Sequence, residues 1–559
     1  MTNPLLTMDS LPPFSQIQPD QVQPAVTQAI ADCKQKIEDV LAQKEPHTWD
    51  SLIAPLEEVN DRLSRIWSPI SHLNAVQNSE ALRAAHDACL PLLSEFQTYV
   101  GQHEGLYQAY LALSESDDFP RLDDAQRKEI LNTLRDFRLS GIGLPAEAQQ
   151  RYGEIQARLS ELASRFSNNV LDATQGWHKL VTDEAELAGL PASAQAAARQ
   201  MAELKGKEGW LFTLDIPSYL PVMMYADSRA LRAELYEAFT TRASDQGPNA
   251  GKWDNSAIMT ELLTLRRELA RLLGFANYAE LSLATKMADK PEQVVEFLTD
   301  LAAKSLPQGK AELEEIRAFA AEQHGQDELA AWDLAYYAEK LKQHKFSVSD
   351  EQLRPYFPAG RVVKGLFEVV KRVFGMKVRE RLGIDTWHPD VRFYDIFDAD
   401  DELRGSFYLD LYAREHKQGG AWMDVCLGRR YRQDGSLQKP VAYLTCNFNG
   451  PVDGKPALFT HNEVVTLFHE FGHGIHHMLT RIDVAGVAGI NGVAWDAVEL
   501  PSQFLENWCW ESEALAFISG HYETGEPLPA DLLEKMLTAR NFQAAMQMLR
   551  QLEFALFDF

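Results

Sequence analysis

Apolar residues return every three or four positions over most of this chain, and that periodicity restricts its fold more than any other feature. In residues 21–44, Ile30, Ile37, Val40 and Leu41 fall close to helical spacing, and similar patterns cover 49–66, 79–112, 124–138 and 146–173. In the last of these, Leu159, Leu162, Phe166 and Val170 make one apolar stripe for packing on a neighbouring helix. No repeat of fixed period is obvious, and antiparallel helix pairs fit the short linkers. A break follows at 205–222, where Gly206, Gly209, Pro217 and Pro221 punctuate an extended stretch from Trp210 to Leu214. Helical patterns resume from 227 to 344, around a loop at 244–252.

At 559 residues the chain is too long for one compact core. The break divides it into an N-terminal helical domain, 1–205, and a second domain, 206–559. The expected class is mainly α. From 392 to 449 the texture changes: Ser406–Tyr412 and Val441–Phe448 collect β-formers, with turns marked at Gly419-Gly420 and Asp434-Gly435. A small antiparallel sheet is expected there, with 442–448 either an edge strand able to pair with an extended peptide or an ordinary core strand.

Composition narrows the function classes. The net charge of −27 opposes binding to nucleic acid and to anionic lipid, so neither is an expected partner; it serves solubility and favours cationic over anionic ligands. No apolar run reaches 18 residues, so no membrane span is expected. The polar, proline-punctuated stretch 1–20 lacks the pattern of a secretory signal. Five scattered cysteines, Cys33, Cys89, Cys426, Cys446 and Cys509, form no C-x-x-C pair and read as reduced thiols of a cytoplasmic protein.

The chemistry concentrates at His469-Glu470-Phe-Gly-His473. On a helix, residues four apart share a face, so both imidazoles can reach one metal ion. Glu470 is then placed to take a proton from a water activated by that metal. The competing interpretation is a polar helix face carrying two unrelated histidines. Gly472 inside the helix argues for close approach of another backbone, and Asn462 is a possible N-cap. A hydrolytic zinc needs a third protein ligand. No glutamate lies between His473 and Glu499, which opens the segment Trp495–Trp508; Glu506 is the next carboxylate to test. Asp496 is a candidate to orient a ligand histidine, with a structural or capping role nearly as well supported. His476 and His477 read as pocket-wall residues.

His469–His473, followed by Val498-Glu499-Leu-Pro-Ser-Gln503 and Leu505-Glu-Asn-Trp508, resembles the thimet-oligopeptidase family of metallopeptidases, and the resemblance extends to Tyr408–Tyr412, Asn447-Phe448 and His461-x-Glu463. It implies one Zn2+ per chain held by His469, His473 and Glu499, with Glu470 as general base. It also implies two helical lobes flanking a deep channel, a zinc endopeptidase acting on short peptides, a cytoplasmic location and a monomer, with 206–559 as the catalytic domain. A zinc aminopeptidase, or a silent peptide-binding scaffold with a structural metal, are the alternatives. The family pattern continues past Phe559 with a histidine and a Gly/Tyr-rich run, so the chain is expected to be cut in mid-helix and its oxyanion and substrate donors to lie beyond its end.

Overall fold

In the computed structural model, which describes residues 3–44 and 46–559, helices dominate and flank a five-stranded sheet. The first half is a run of helices, among them Pro19–Leu41, Ala54–Val76, Glu80–Gly101, Asp124–Leu139 and Ala146–Gln175. A short hairpin, β1 (His178–Val181) and β2 (Trp210–Thr213), occupies the break seen in the sequence. No helix among the described residues is long and apolar enough to cross a membrane.

The sheet is built from β3 (Lys377–Glu380), β4 (Arg392–Phe397), β5 (Leu403–Tyr412), β6 (Trp422–Leu427) and β9 (Val441–Phe448). A side hairpin, β7 (Arg430–Tyr431) and β8 (Leu437–Gln438), lies between the last two in sequence. The spatial order is β3-β4-β5-β9-β6. One expectation is corrected here, and one choice between alternatives is decided. The sheet is mixed: β5 and β9 run parallel, with Tyr408 opposite Tyr443, while the other pairs are antiparallel. Local alternation carries no information about strand direction, which the crossover through β6 sets. And β9 is no edge strand, since β5 and β6 flank it; β6 is the outer strand on that side.

Alternation along the central strands sends side chains into two different cores. Phe407, Leu409, Ala442, Leu444, Cys446 and Phe448 pack with helix Ala359–Phe374 and with the helix His461–Met478. Tyr408, Val441 and Tyr443 point the other way, into a core shared with Val22, Val26, Ile66, Ile70 and Phe96 of the N-terminal helices. A sheet buried on both faces accounts for the nearly unbroken apolar run of β9. All five cysteines are buried and unpaired.

One ionic cluster pins this sheet to the N-terminal helices. Asp410, buried in β5, accepts from Arg414 Nη1 (2.7 Å), Lys417 Nζ (2.9 Å) and Trp387 Nε1 (2.9 Å). Burial opposes its charge, but Arg414 and Lys417 outweigh that and hold its carboxyl at about 2. Arg414 Nη2 also donates to Val76 O, and Gln418 N to Ala75 O, at the end of helix Ala54–Val76.

Candidate metal centre

The helix His461–Met478 starts on a capping box. Thr460 Oγ1 accepts from Glu463 N (3.1 Å) and Glu463 Oε2 from Thr460 N (2.9 Å), so the N-cap is Thr460 and not Asn462, which lies inside the first turn. Glu463 Oε1 also accepts from Asn449 Nδ2 (3.1 Å), joining the end of β9 to the start of the helix. Val464, Leu467, Phe468, Phe471, Ile475 and Met478 are buried on the helix and fix its rotation.

His469 and His473 lie one turn apart, and each Nε2 is 3.2 Å from Glu499 Oε2. Two ligands held about 2.0–2.1 Å from a tetrahedral ion lie roughly 3.3 Å from each other, so these three atoms have the spacing of a ligand set. They are the one group of at least three potential ligands found among the described residues. Two imidazole nitrogens and a carboxylate oxygen suit zinc, and the exposed side of Glu499 leaves room for a fourth ligand. Burial pushes His473 down in pKa, against the pull of Glu499, which favours the neutral ring a metal requires.

Glu499 is the N-cap of helix Leu500–Glu506, and Ser502 Oγ donates to its Oε2 (2.7 Å). This helix crosses His461–Met478 at Gly472, where a Cβ would lie 2.5 Å from both Pro501 O and Ser502 Cα. The glycine anticipated as a point of backbone approach is therefore what lets the two ligand-bearing segments meet.

Glu470 is 6% exposed, beside the first histidine. Burial raises its carboxyl to about 7, His469 opposing and Glu499 adding to the shift. A carboxylate poised there can exchange a proton with water near neutral pH.

The outer partner of His469 is Glu506, whose Oε1 lies 2.7 Å from Nδ1. Asp496, the sequence candidate for that role, is elsewhere: it accepts from Met287 N and Ala288 N, at 3.0 Å each. Its carboxylate caps a distant backbone turn instead of touching a histidine. His477 is buried with Nε2 2.9 Å from Leu427 O, and burial lowers it to about 4; His476 stands outside the ligand group. His461 Nε2 meets Cys509 O at 2.8 Å, so it too has a structural partner.

Residues 222–559 match peptidase family M3, and residues 26–149 match the N-terminal domain of neurolysin and thimet oligopeptidase. All of this chain aligns with oligopeptidase A of Escherichia coli (strain K12), at 68% identity over 559 residues and 82% of that protein's length. It also aligns in full with the organellar oligopeptidase A of Arabidopsis thaliana, at 41% identity over 571 positions and 71% of its length. The solved structure of PZ peptidase A with an inhibitor shares the fold alone, with a TM-score of 0.50 and 14% identity, covering 96% of this chain and 74% of that one. With His469, His473 and Glu499 brought together at the crossing of two helices and a family match over residues 222–559, the chain belongs to peptidase family M3.

Proposed function

We propose that the chain is a zinc-dependent endopeptidase of short peptides, an oligopeptidase, with one Zn2+ held by His469, His473 and Glu499. The observation that carries the reading is the 3.2 Å convergence of both Nε2 atoms on Glu499 Oε2, with Glu470 buried alongside. The identity to oligopeptidase A supports the substrate class. A zinc ion supplies Lewis acidity to the scissile carbonyl and lowers the pKa of water toward 7. Glu470 accepts the proton of the attacking water and returns it to the leaving amine nitrogen. Glu506 holds Nδ1 of His469, and Ser502 holds the Glu499 carboxylate, so both ligands meet the ion already oriented. We also propose a cytoplasmic, monomeric protein and a domain boundary near 205/206.

The test is Glu470→Gln. Zinc content and melting temperature should match the parent while turnover of a blocked decapeptide falls by roughly 10²–10⁴-fold. Near-parental turnover would remove Glu470 from the mechanism. Cleavage inside a peptide with an acetylated N-terminus distinguishes an endopeptidase from an aminopeptidase.

A further inference from the structure

A cavity of ≈ 660 Å³ runs along the outer strand β6, walled by helix Ala54–Val76, by Glu129 and by the loop 485–491. The helix that carries His469 and His473 reaches its wall. Leu427, in its wall, accepts from His477, which follows His473 by one helical turn, about 5.4 Å along the axis. The loop on its far side runs on to Glu499.

Three carboxylates face this cavity without a salt-bridge partner among the described residues: Glu57, Glu129 and Asp424. Glu57 Oε1 accepts only a backbone N–H, from Ala485 (3.2 Å), and Asp424 Oδ1 accepts from Val425 N (2.7 Å). The Glu129 carboxylate lies against Gly486 and would have to shift to admit a Cβ there. Burial raises the carboxyls of Glu57, to about 7, and of Glu129, with the charge of Glu129 adding to the effect on Glu57, while Asp424 is exposed.

An independent feature points to a polar occupant. Arg430, 2% exposed, lines the same cavity, and among the described residues its Nε donates to nothing. Its other nitrogens are ion-paired, Nη2 with Glu58 at 2.5 Å and Nη1 with Asp61 at 3.6 Å, and Arg65 Nε pairs with Asp61 at 3.0 Å, which leaves Arg430 Nε as the unmet donor. A buried donor with no acceptor costs about 1–3 kcal/mol. The cavity therefore asks its occupant for positive charge on one wall and a hydrogen-bond acceptor on the other. A peptide segment bearing an ammonium group brings both, the acceptor being one of its own carbonyls.

We propose that this cavity is a substrate subsite for an ammonium group of the peptide, either its free N-terminus or a lysine side chain. Glu57, Glu129 and Asp424 take the charge, and Arg430 Nε donates to a neighbouring peptide carbonyl. The assignment rests on the peptidase reading above and adds a selection rule to it: cleavage falls a short, set distance along the chain from a positive charge.

The test uses the zinc-loaded full chain and its Glu57→Gln/Glu129→Gln variant, with Asp424→Asn as a second variant. Four decapeptides share one sequence: free amine, acetylated, acetylated with one lysine, and acetylated with norleucine in its place. The parent should favour the charged peptides by about tenfold in kcat/KM, chiefly through KM, equivalent to about 1.4 kcal/mol. Both variants should shrink that ratio toward one. Loss of the preference on acetylation assigns the N-terminus, and loss on the norleucine exchange assigns lysine. Equal handling of all four peptides by the parent, or an undiminished ratio in both variants, overturns the proposal. Failure of the peptidase reading looks different, as no peptide is cut. Calorimetric binding of the same peptides to Glu470→Gln then still tests the subsite, since charge preference supports it and equal affinity overturns it.

Discussion

Glu506 fixes the tautomer of His469. A carboxylate accepts, so with its Oε1 2.7 Å away Nδ1 is the donor, which leaves Nε2 as the nitrogen for a metal. Glu506→Gln should lower zinc affinity by about 10–100-fold, measured by competition with a chromogenic chelator. Unchanged affinity would mean that the contact does not orient the ring. In the sequence Glu506 is a spare carboxylate two turns past Glu499; its meeting with His469 depends on how two helices cross, which no local pattern reports. Asp496 shows the converse, since its partners Met287 and Ala288 lie more than 200 positions away. At the same scale, Glu57 makes a pH prediction. Its carboxyl is raised from 4.5 to about 7 in the folded chain, chiefly by burial, so the unfolded chain loses this proton first. The stabilising contribution is complete below about pH 4.5 and is lost as pH rises through 7. Glu57→Gln should therefore leave the melting temperature nearly unchanged at pH 4.5 and raise it at pH 8. A variant that melts below the parent at pH 8 would show that the charged carboxylate is satisfied without substrate.

Among the elements, the pair His461–Met478 and Leu500–Glu506 makes the centre, and Gly472 sets their distance. Alanine is the better helix former by about 1 kcal/mol, so an isolated helix would gain from Gly472→Ala. In the folded chain the added methyl meets backbone, which cannot rotate away. The variant should lose about 1–3 kcal/mol in denaturant unfolding and bind zinc more weakly. A gain in stability would show that the helices can part without cost. Much of this scale was legible in advance: the helix carrying His469 and His473, strands at 406–412 and 441–448, and Glu499 as the next glutamate. What escaped was relational. The parallel pairing of β5 with β9 and the interior place of β9 follow from a crossover that alternation along one strand does not encode.

For the whole molecule, the break at 205–222 is a boundary in sequence texture, yet the N-terminal helices and the sheet share one core. Val22, Ile66 and Phe96 meet Phe393, Tyr408 and Tyr443 there, and Asp410 with Arg414 ties the same junction. Residues 1–205 expressed alone would bare the apolar faces that rest on β5 and β9. That fragment should bind a hydrophobic dye and self-associate in light scattering, and co-expression with 206–559 should suppress both. A monomeric, cooperatively melting fragment would establish the proposed domain as independent. The five thiols described with the fold carry a different consequence. Cys33 and Cys89 lie in N-terminal helices, Cys426 and Cys446 in the sheet, and Cys509 beside the metal helix. Burial raises the first three to about 12, 11 and 12 respectively, with smaller electrostatic effects at Cys33 and Cys426. An alkylating reagent reacts with thiolate that it can reach, so each cysteine is silent until its own neighbourhood opens. The order in which they are labelled is thus a map of local breathing written into the chain, read by mass spectrometry without attaching any probe.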